Sequence, residues 1–161
     1  MSLGLKELHE RGIVHLDLKL ENILVGSSGK YKLGDLGLSR LINKLKTDVP
    51  EGDARYLAME LLNNDPNATL PDLRKCDVFS LGILGYELME GKRVPQNGDQ
   101  WHDLREDRIS FTYPEEFSDR TREMILSMLS SDPSKRPTIN DLLTTDLMSD
   151  QEREIEMYKK L

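Results

Sequence analysis

His15, Asp17, Lys19 and Asn22 lie within eight positions of one another in HLDLKLEN, a spacing that suits phosphoryl transfer. That chemistry asks little covalent work of a protein. It needs a carboxylate to orient and deprotonate the attacking hydroxyl, oxygen ligands for magnesium, and positive charge beside the moving group. Asp17 is the candidate base, Lys19 the candidate phosphate contact, and Asn22 offers an amide oxygen to a metal. Asp35, in GDLG, adds a second oxygen ligand thirteen residues past Asn22. Magnesium keeps most of its waters and phosphate oxygens, so two such ligands suffice. His15 precedes the base by two residues and fits a packing and hydrogen-bonding role in the loop. His9 and His102 have no carboxylate or cysteine pattern around them and read as scaffold or surface.

These residues need elements to hold them. Leu3 to His9 has helical periodicity, stopped by Gly12. NILV, GSSG and KYKLGD (residues 22–35) predict strand, turn and strand, so a hairpin carries Asn22 and Asp35 on its two arms. From Leu36 to about Leu57 the periodicity disappears, which predicts a long loop of the functional kind. A short helix is expected in LAMELL, followed by a Pro/Asn-rich surface loop. Asp77 is placed as the cap of a buried helix running through Met89, apolar nearly all round. Further helices are expected in WHDLRED, in DRTREMILSMLS behind Ser118, and in INDLLTTDLM. Ser149 and Glu152 form a capping-box spacing that opens a terminal helix over 149–161. The fold class is therefore mainly α-helical with one short β-hairpin.

With 161 residues the chain is one domain by length, and 37% hydrophobic against 32% charged residues suits a globular protein rather than a disordered one. The net charge of −7 speaks against a nucleic-acid partner, because no basic stripe offsets it. The longest apolar run, VFSLGILGYELM, is too short to span a membrane and contains Glu87. A single cysteine, Cys76, excludes an internal disulfide and fits a reducing, intracellular compartment, nucleus or cytoplasm. It reads as a small apolar filler.

HLDLKLEN, GDLG, AME (58–60), DVFSLG (77–82) and DPSKRP (132–137) together resemble, in order, the large-lobe motifs of the eukaryotic protein kinases. Leu16 where arginine is usual, DLG in place of D-F-G, EGDARYLAMELL (51–62) and NGDQWHDLR (97–105) resemble the Wee/Myt mitotic-inhibitor kinases. The resemblance implies a kinase C-terminal lobe over 1–161, with ATP and Mg2+ as cofactors and 35–60 as activation segment. It makes Asp17 the base, Lys19 the phosphate contact, and Asn22 and Asp35 metal ligands. Glu60 would pair structurally with Arg136. Asp77 would also hold catalytic-loop amides, or serve as a cap only. The implied substrate is a cyclin-dependent kinase, modified on tyrosine and sometimes on the adjacent threonine, as a brake on mitotic entry. Leu20 departs from this group, where proline is usual.

Leu16 cannot bind a phosphorylated loop residue, so the activation segment is expected to order without phosphorylation, helped by Glu51, Asp53 and Arg55. No G-x-G-x-x-G strand-turn-strand or V-A-I-K lysine precedes His15, and Met1-Ser2-Leu3 resembles a cloning scar. The N-terminal lobe is thus expected to be missing, and the fragment alone to be inactive and to self-associate through uncovered apolar surface. An ordinary serine/threonine kinase and a pseudokinase scaffold are the alternatives. Lys19, two residues past the base, is the serine/threonine arrangement.

Overall fold

The computed structural model describes residues 1–44, 49, 52–62, 72–112 and 114–145. Its centre is helix α2, Leu73–Glu90, with thirteen buried residues. Val78, Phe79, Ile83 and Leu84 are essentially inaccessible. Each such side chain contributes roughly 1.5–3 kcal/mol on burial. Interleaved with them are four buried polar groups, Asp77, Ser80, Glu87 and Glu90, which would be costly unpaired. All four bind loops. Asp77 accepts from the His15 and Leu16 amides, and Ser80 Oγ donates to the Tyr56 carbonyl. Glu87 accepts from the Val94 amide and Glu90 from the Thr112 amide. The helix is apolar for stability and polar where loops must hang from it.

Its N-cap is Asp72, whose side chain accepts from the Arg74 amide, and not Asp77. The correction has a physical reason. Leu73 and Cys76, three apart, already face the core, so the first turn begins four residues before the apolar run becomes dense. Asp77 lies inside the helix, with its carboxylate aimed outward at a neighbouring loop.

Helix α1 (Ser2–Glu10) buries Leu5 and His9, four apart, and packs on α5 (Ile139–Thr144). Ser118 caps α4 (Asp119–Met128), and a reciprocal Thr138–Asp141 capping box opens α5. Between α2 and α4 lies the short helix α3, Asp99–Asp103. Helices α2 and α4 approach closely at Gly85, where a Cβ would stand 2.2 Å from Ile125 Cδ1. Ile125, Met128 and Leu129 are buried in this contact, and Met124 packs beside them.

Strands β2 (Ile23–Val25) and β3 (Tyr31–Leu33) form the expected antiparallel hairpin, with Ile23 opposite Leu33. A second ladder reaches into the predicted loop: β4 (Arg40–Leu41), inside it, pairs with β1 (Ile13–Val14), ahead of it. Two residues per strand are too few to give a period in the sequence. In LAMELL the expected helix is one 3-10 turn, Met59–Leu61. The predicted helix over 149–161 lies outside the described residues, as does Glu51. Among the described residues no helix is long and apolar enough to cross a membrane.

Candidate active site

The loop from His15 to Asn22 is fixed from below by one carboxylate. Asp77 Oδ2 accepts from the His15 amide and Oδ1 from the Leu16 amide, both at 2.8 Å, while His9 Nε2 lies 2.9 Å from Oδ2. His9 thus belongs to the scaffold. The hydrogen bonds hold Leu16 at φ 66°, a left-handed conformation that costs a leucine about 1–2 kcal/mol. The turn directs the Leu16 side chain inward. It packs with Val14, Leu73 and Cys76, and Ile42, Val49 and Leu61 close over that cluster.

His15 is fully buried and spends both ring nitrogens on backbone. Nδ1 accepts from the Asp17 amide at 3.3 Å, and Nε2 lies 3.1 Å from the Gly34 carbonyl, which makes Nε2 the protonated nitrogen. The ring ties the catalytic loop to the strand leading into Asp35.

The Asp17 carboxylate is 7% exposed, and Oδ2 accepts from Lys19 Nζ at 2.7 Å and from Asn22 Nδ2 at 2.9 Å. Asn22 Nδ2 also donates to the Asp17 carbonyl at 2.8 Å. Both amide hydrogens of Asn22 are therefore spent on Asp17, and Oδ1 is the atom left for a metal. The Lys19 ammonium is held above its ordinary pKa, chiefly by its hydrogen bond to Asp17, with burial opposing. It is cationic at any physiological pH.

Across the hairpin the Gly34 amide donates to the Asn22 carbonyl at 2.8 Å, which brings the residue after Gly34 alongside Asn22. That residue is Asp35, exposed, at φ 54°, with Oδ1 accepting from the Gly37 amide. An amide oxygen and a carboxylate are hard donors of the kind a magnesium ion takes. Four of the predicted residues are thus gathered in one place: Asp17, Lys19 and Asn22 in direct contact, and Asp35 just past the end of the adjoining strand.

The remaining predicted residues lie behind the site. Glu60 and Arg136 form a two-pronged pair, Nη1–Oε1 2.5 Å and Nη2–Oε2 3.1 Å, with the arginine side chain 1% exposed. Arg136 lies over the Phe79 ring and also donates to the Ser130 and Lys75 carbonyls. Cys76 Sγ donates to Glu60, and burial pushes its thiol pKa up, which makes it unreactive.

Sequence reasoning missed Gly52. A Cβ there would stand 2.6 Å from the Leu16 carbonyl oxygen and 3.3 Å from Asp17 Oδ1. The chain passes that closely over Asp17, and no composition signal marks it. Gly52→Ala is expected to push this segment off Asp17. Misplacement near 1 Å costs about 10²-fold, so kcat should fall by about one to two orders of magnitude with the unfolding temperature little changed. Steady-state kinetics beside a melting curve checks this. Leu24 was also passed over. It follows Asn22 by two residues and is 54% exposed, an apolar face beside the polar cluster.

The model of the protein kinase domain matches residues 1–148. The chain belongs to the protein kinase family. It is 41% identical over 142 residues to a Wee1-like protein kinase of Oryza sativa subsp. japonica, a match covering 87% of this chain and 25% of that relative. It is 37% identical over 143 residues to the membrane-associated tyrosine- and threonine-specific cdc2-inhibitory kinase of Drosophila melanogaster (88% and 26%). Identity is again 41%, over 140 residues, to the kinase wee-1.3 of that description from Caenorhabditis elegans (84% and 20%). This kinase chain thus spans about a quarter of these curated relatives' length. The resemblance read from Leu16, DLG, EGDARYLAMELL and NGDQWHDLR points to the same Wee-like group.

Proposed function

We propose that this chain is the large lobe of a Wee-like kinase that moves the γ-phosphoryl group of ATP to a hydroxyl of a cyclin-dependent kinase. The target is a tyrosine and sometimes the adjacent threonine, and the effect is to restrain entry into mitosis. The observation that carries the reading is the cluster of Asp17, Lys19 and Asn22 in contact, with Asp35 beside it. Relatives named as cdc2-inhibitory kinases support the choice of substrate.

In the step, Asp17 accepts the proton of the substrate hydroxyl as its oxygen bonds to the γ-phosphorus. The bond from that phosphorus to the β–γ bridging oxygen breaks, and ADP leaves with the electron pair. Lys19 stabilises charge on the moving group. Asn22 and Asp35 would hold Mg2+, which neutralises phosphate charge when bound. The exposed apolar face at Leu24 suits a planar base. A second lobe is needed to close over the nucleotide, so the chain alone is proposed to be inactive.

The test supplies the chain, joined to its nucleotide-covering lobe, with Mg-ATP and a cyclin-dependent kinase. Transfer of label supports the kinase reading. No transfer from well-folded protein favours a pseudokinase scaffold.

Leu16, buried among Val14, Leu73 and Cys76, supports ordering of the activation segment without a phosphate. Arg55 and Asp53 add a local bidentate pair that holds the Asp53 carboxyl below its ordinary pKa. Phosphatase treatment of the active enzyme is expected to leave its rate within about twofold. A loss beyond about tenfold, the scale of new charge-assisted contacts, would contradict this. Leu24, Val25, Tyr31 and Leu36 on the nucleotide side, and Leu3 and Leu88 elsewhere, are exposed. The isolated chain should therefore self-associate at micromolar concentration, and a monomer by sedimentation would refute that.

A further inference from the structure

Arg105 follows α3 and is 2% exposed, yet among the described residues no carboxylate forms an ion pair with it. Its guanidinium is spent on backbone carbonyls. Nε donates to the Leu57 carbonyl at 3.0 Å and Nη1 to the Trp101 carbonyl at 3.0 Å. Nη2 is shared among the carbonyls of Ala54, Arg55 and Leu57, at 3.1, 3.0 and 2.7 Å. The Trp101 ring covers it at 3.8 Å, and the indole N–H donates to the Ala54 carbonyl at 2.9 Å. Ser80 holds the intervening Tyr56 carbonyl.

Four consecutive carbonyls, 54 to 57, are thus gripped by side chains from two other parts of the chain. A buried cation without a counter-ion is a costly device, and burial alone lowers the Arg105 pKa to about 9. Its donors satisfy carbonyls that an apolar residue would leave unpaired. What the arginine adds is a fixed backbone path, because its planar fork reaches several carbonyls at once and a lysine cannot. That path begins at Gly52, which lies directly on Leu16 and Asp17. Gly52 adjoins Oδ1 of Asp17, the carboxylate oxygen opposite the one that Lys19 and Asn22 bind.

We propose that Arg105, clamped by Trp101, is a positioning residue for the protein substrate: it sets the rim along which the acceptor segment docks beside Asp17. The inference rests on the kinase reading above. The nucleotide side is held separately, through Asn22, Gly34 and His15. Arg105 therefore governs the protein substrate and not the nucleotide.

The experiment compares the full-length kinase with its Arg105→Lys and Trp101→Phe variants. It reads KM for protein substrate, KM for ATP, and amide hydrogen exchange. Arg105→Lys is expected to raise the protein-substrate KM by about tenfold or more and to leave the ATP KM within about twofold. Exchange should quicken by about tenfold at residues 54–58 and stay unchanged in α2. Trp101→Phe keeps a ring over the guanidinium and loses one donor, so the same shifts should appear at about threefold. It also serves as the second variant should Arg105→Lys fail to fold. An unchanged protein-substrate KM despite faster exchange at 54–58 would overturn the docking role. So would equal changes in both KM values with α2 loosened, which is the mark of a general scaffold residue. A wild-type enzyme without transferase activity would refute the kinase reading, and the docking role with it. Faster exchange in the variants would then show the anchor alone.

Discussion

Asp17→Asn should lower phosphoryl transfer by roughly 10³-fold in kcat, the middle of the range a positioned general base supplies. The side chain keeps its shape and one oxygen for the Lys19 and Asn22 donors that reach Oδ2. The loop is held from elsewhere, by Asp77 on the His15 and Leu16 amides, so the fold should survive. What disappears is the site for the hydroxyl proton. Lys19 also loses the carboxylate that raises its pKa, but stays charged at neutral pH. Nucleotide affinity should change by less than about threefold, because Asn22 and Asp35 remain. Single-turnover rates and a nucleotide titration of the same preparations check both halves. A loss under about tenfold would mean that Asp17 is not the base.

Arg136→Ala should cost about 3–5 kcal/mol of folding stability, the range for stripping one partner from a buried ion pair. The side chain is 1% exposed, and Glu60, at 14%, would lose its cation and be left with the Cys76 thiol as a neighbour. Ser130 and Lys75 carbonyls lose their donor as well. Against a typical total of roughly 5–15 kcal/mol, about a fifth or more of the stability is at stake. Replacing both partners, as Glu60→Leu with Arg136→Met, should cost less than Arg136→Ala alone, since no charge is stranded. Urea unfolding of the wild type, Arg136→Ala, the singles Glu60→Leu and Arg136→Met, and the double variant reads the difference. A double variant as unstable as the sum of the singles would argue that the pair acts independently of its charges.

How much of this was legible in the sequence depended on distance along the chain. The catalytic loop could be read because its chemistry is compressed into eight residues and one hairpin, with alternation and a GSSG turn to mark the strands. Helix α4 and its Ser118 cap were equally local. Asp77 shows where locality fails. Its type was noticed, but its partners His9 and His15 lie 68 and 62 positions away, and the helix start was misplaced because charged Arg74 and Lys75 interrupt the apolar pattern. Asp72 directly after Pro71 was the available cap signal. Pairing of Ile13–Val14 with Arg40–Leu41 leaves no periodic trace. Arg105 lies in the NGDQWHDLR stretch that carried the resemblance, but its role left no trace, since an arginine that grips carbonyls looks, in sequence, like any surface arginine.

The most direct test of the Wee-like reading is to identify which amino acid becomes labelled when the two-lobed enzyme acts on a cyclin-dependent kinase with Mg-ATP. Phosphotyrosine, lost in Asp17→Asn, is the predicted result. Phosphoserine or phosphothreonine without phosphotyrosine would leave a protein kinase and contradict the mitotic-inhibitor function.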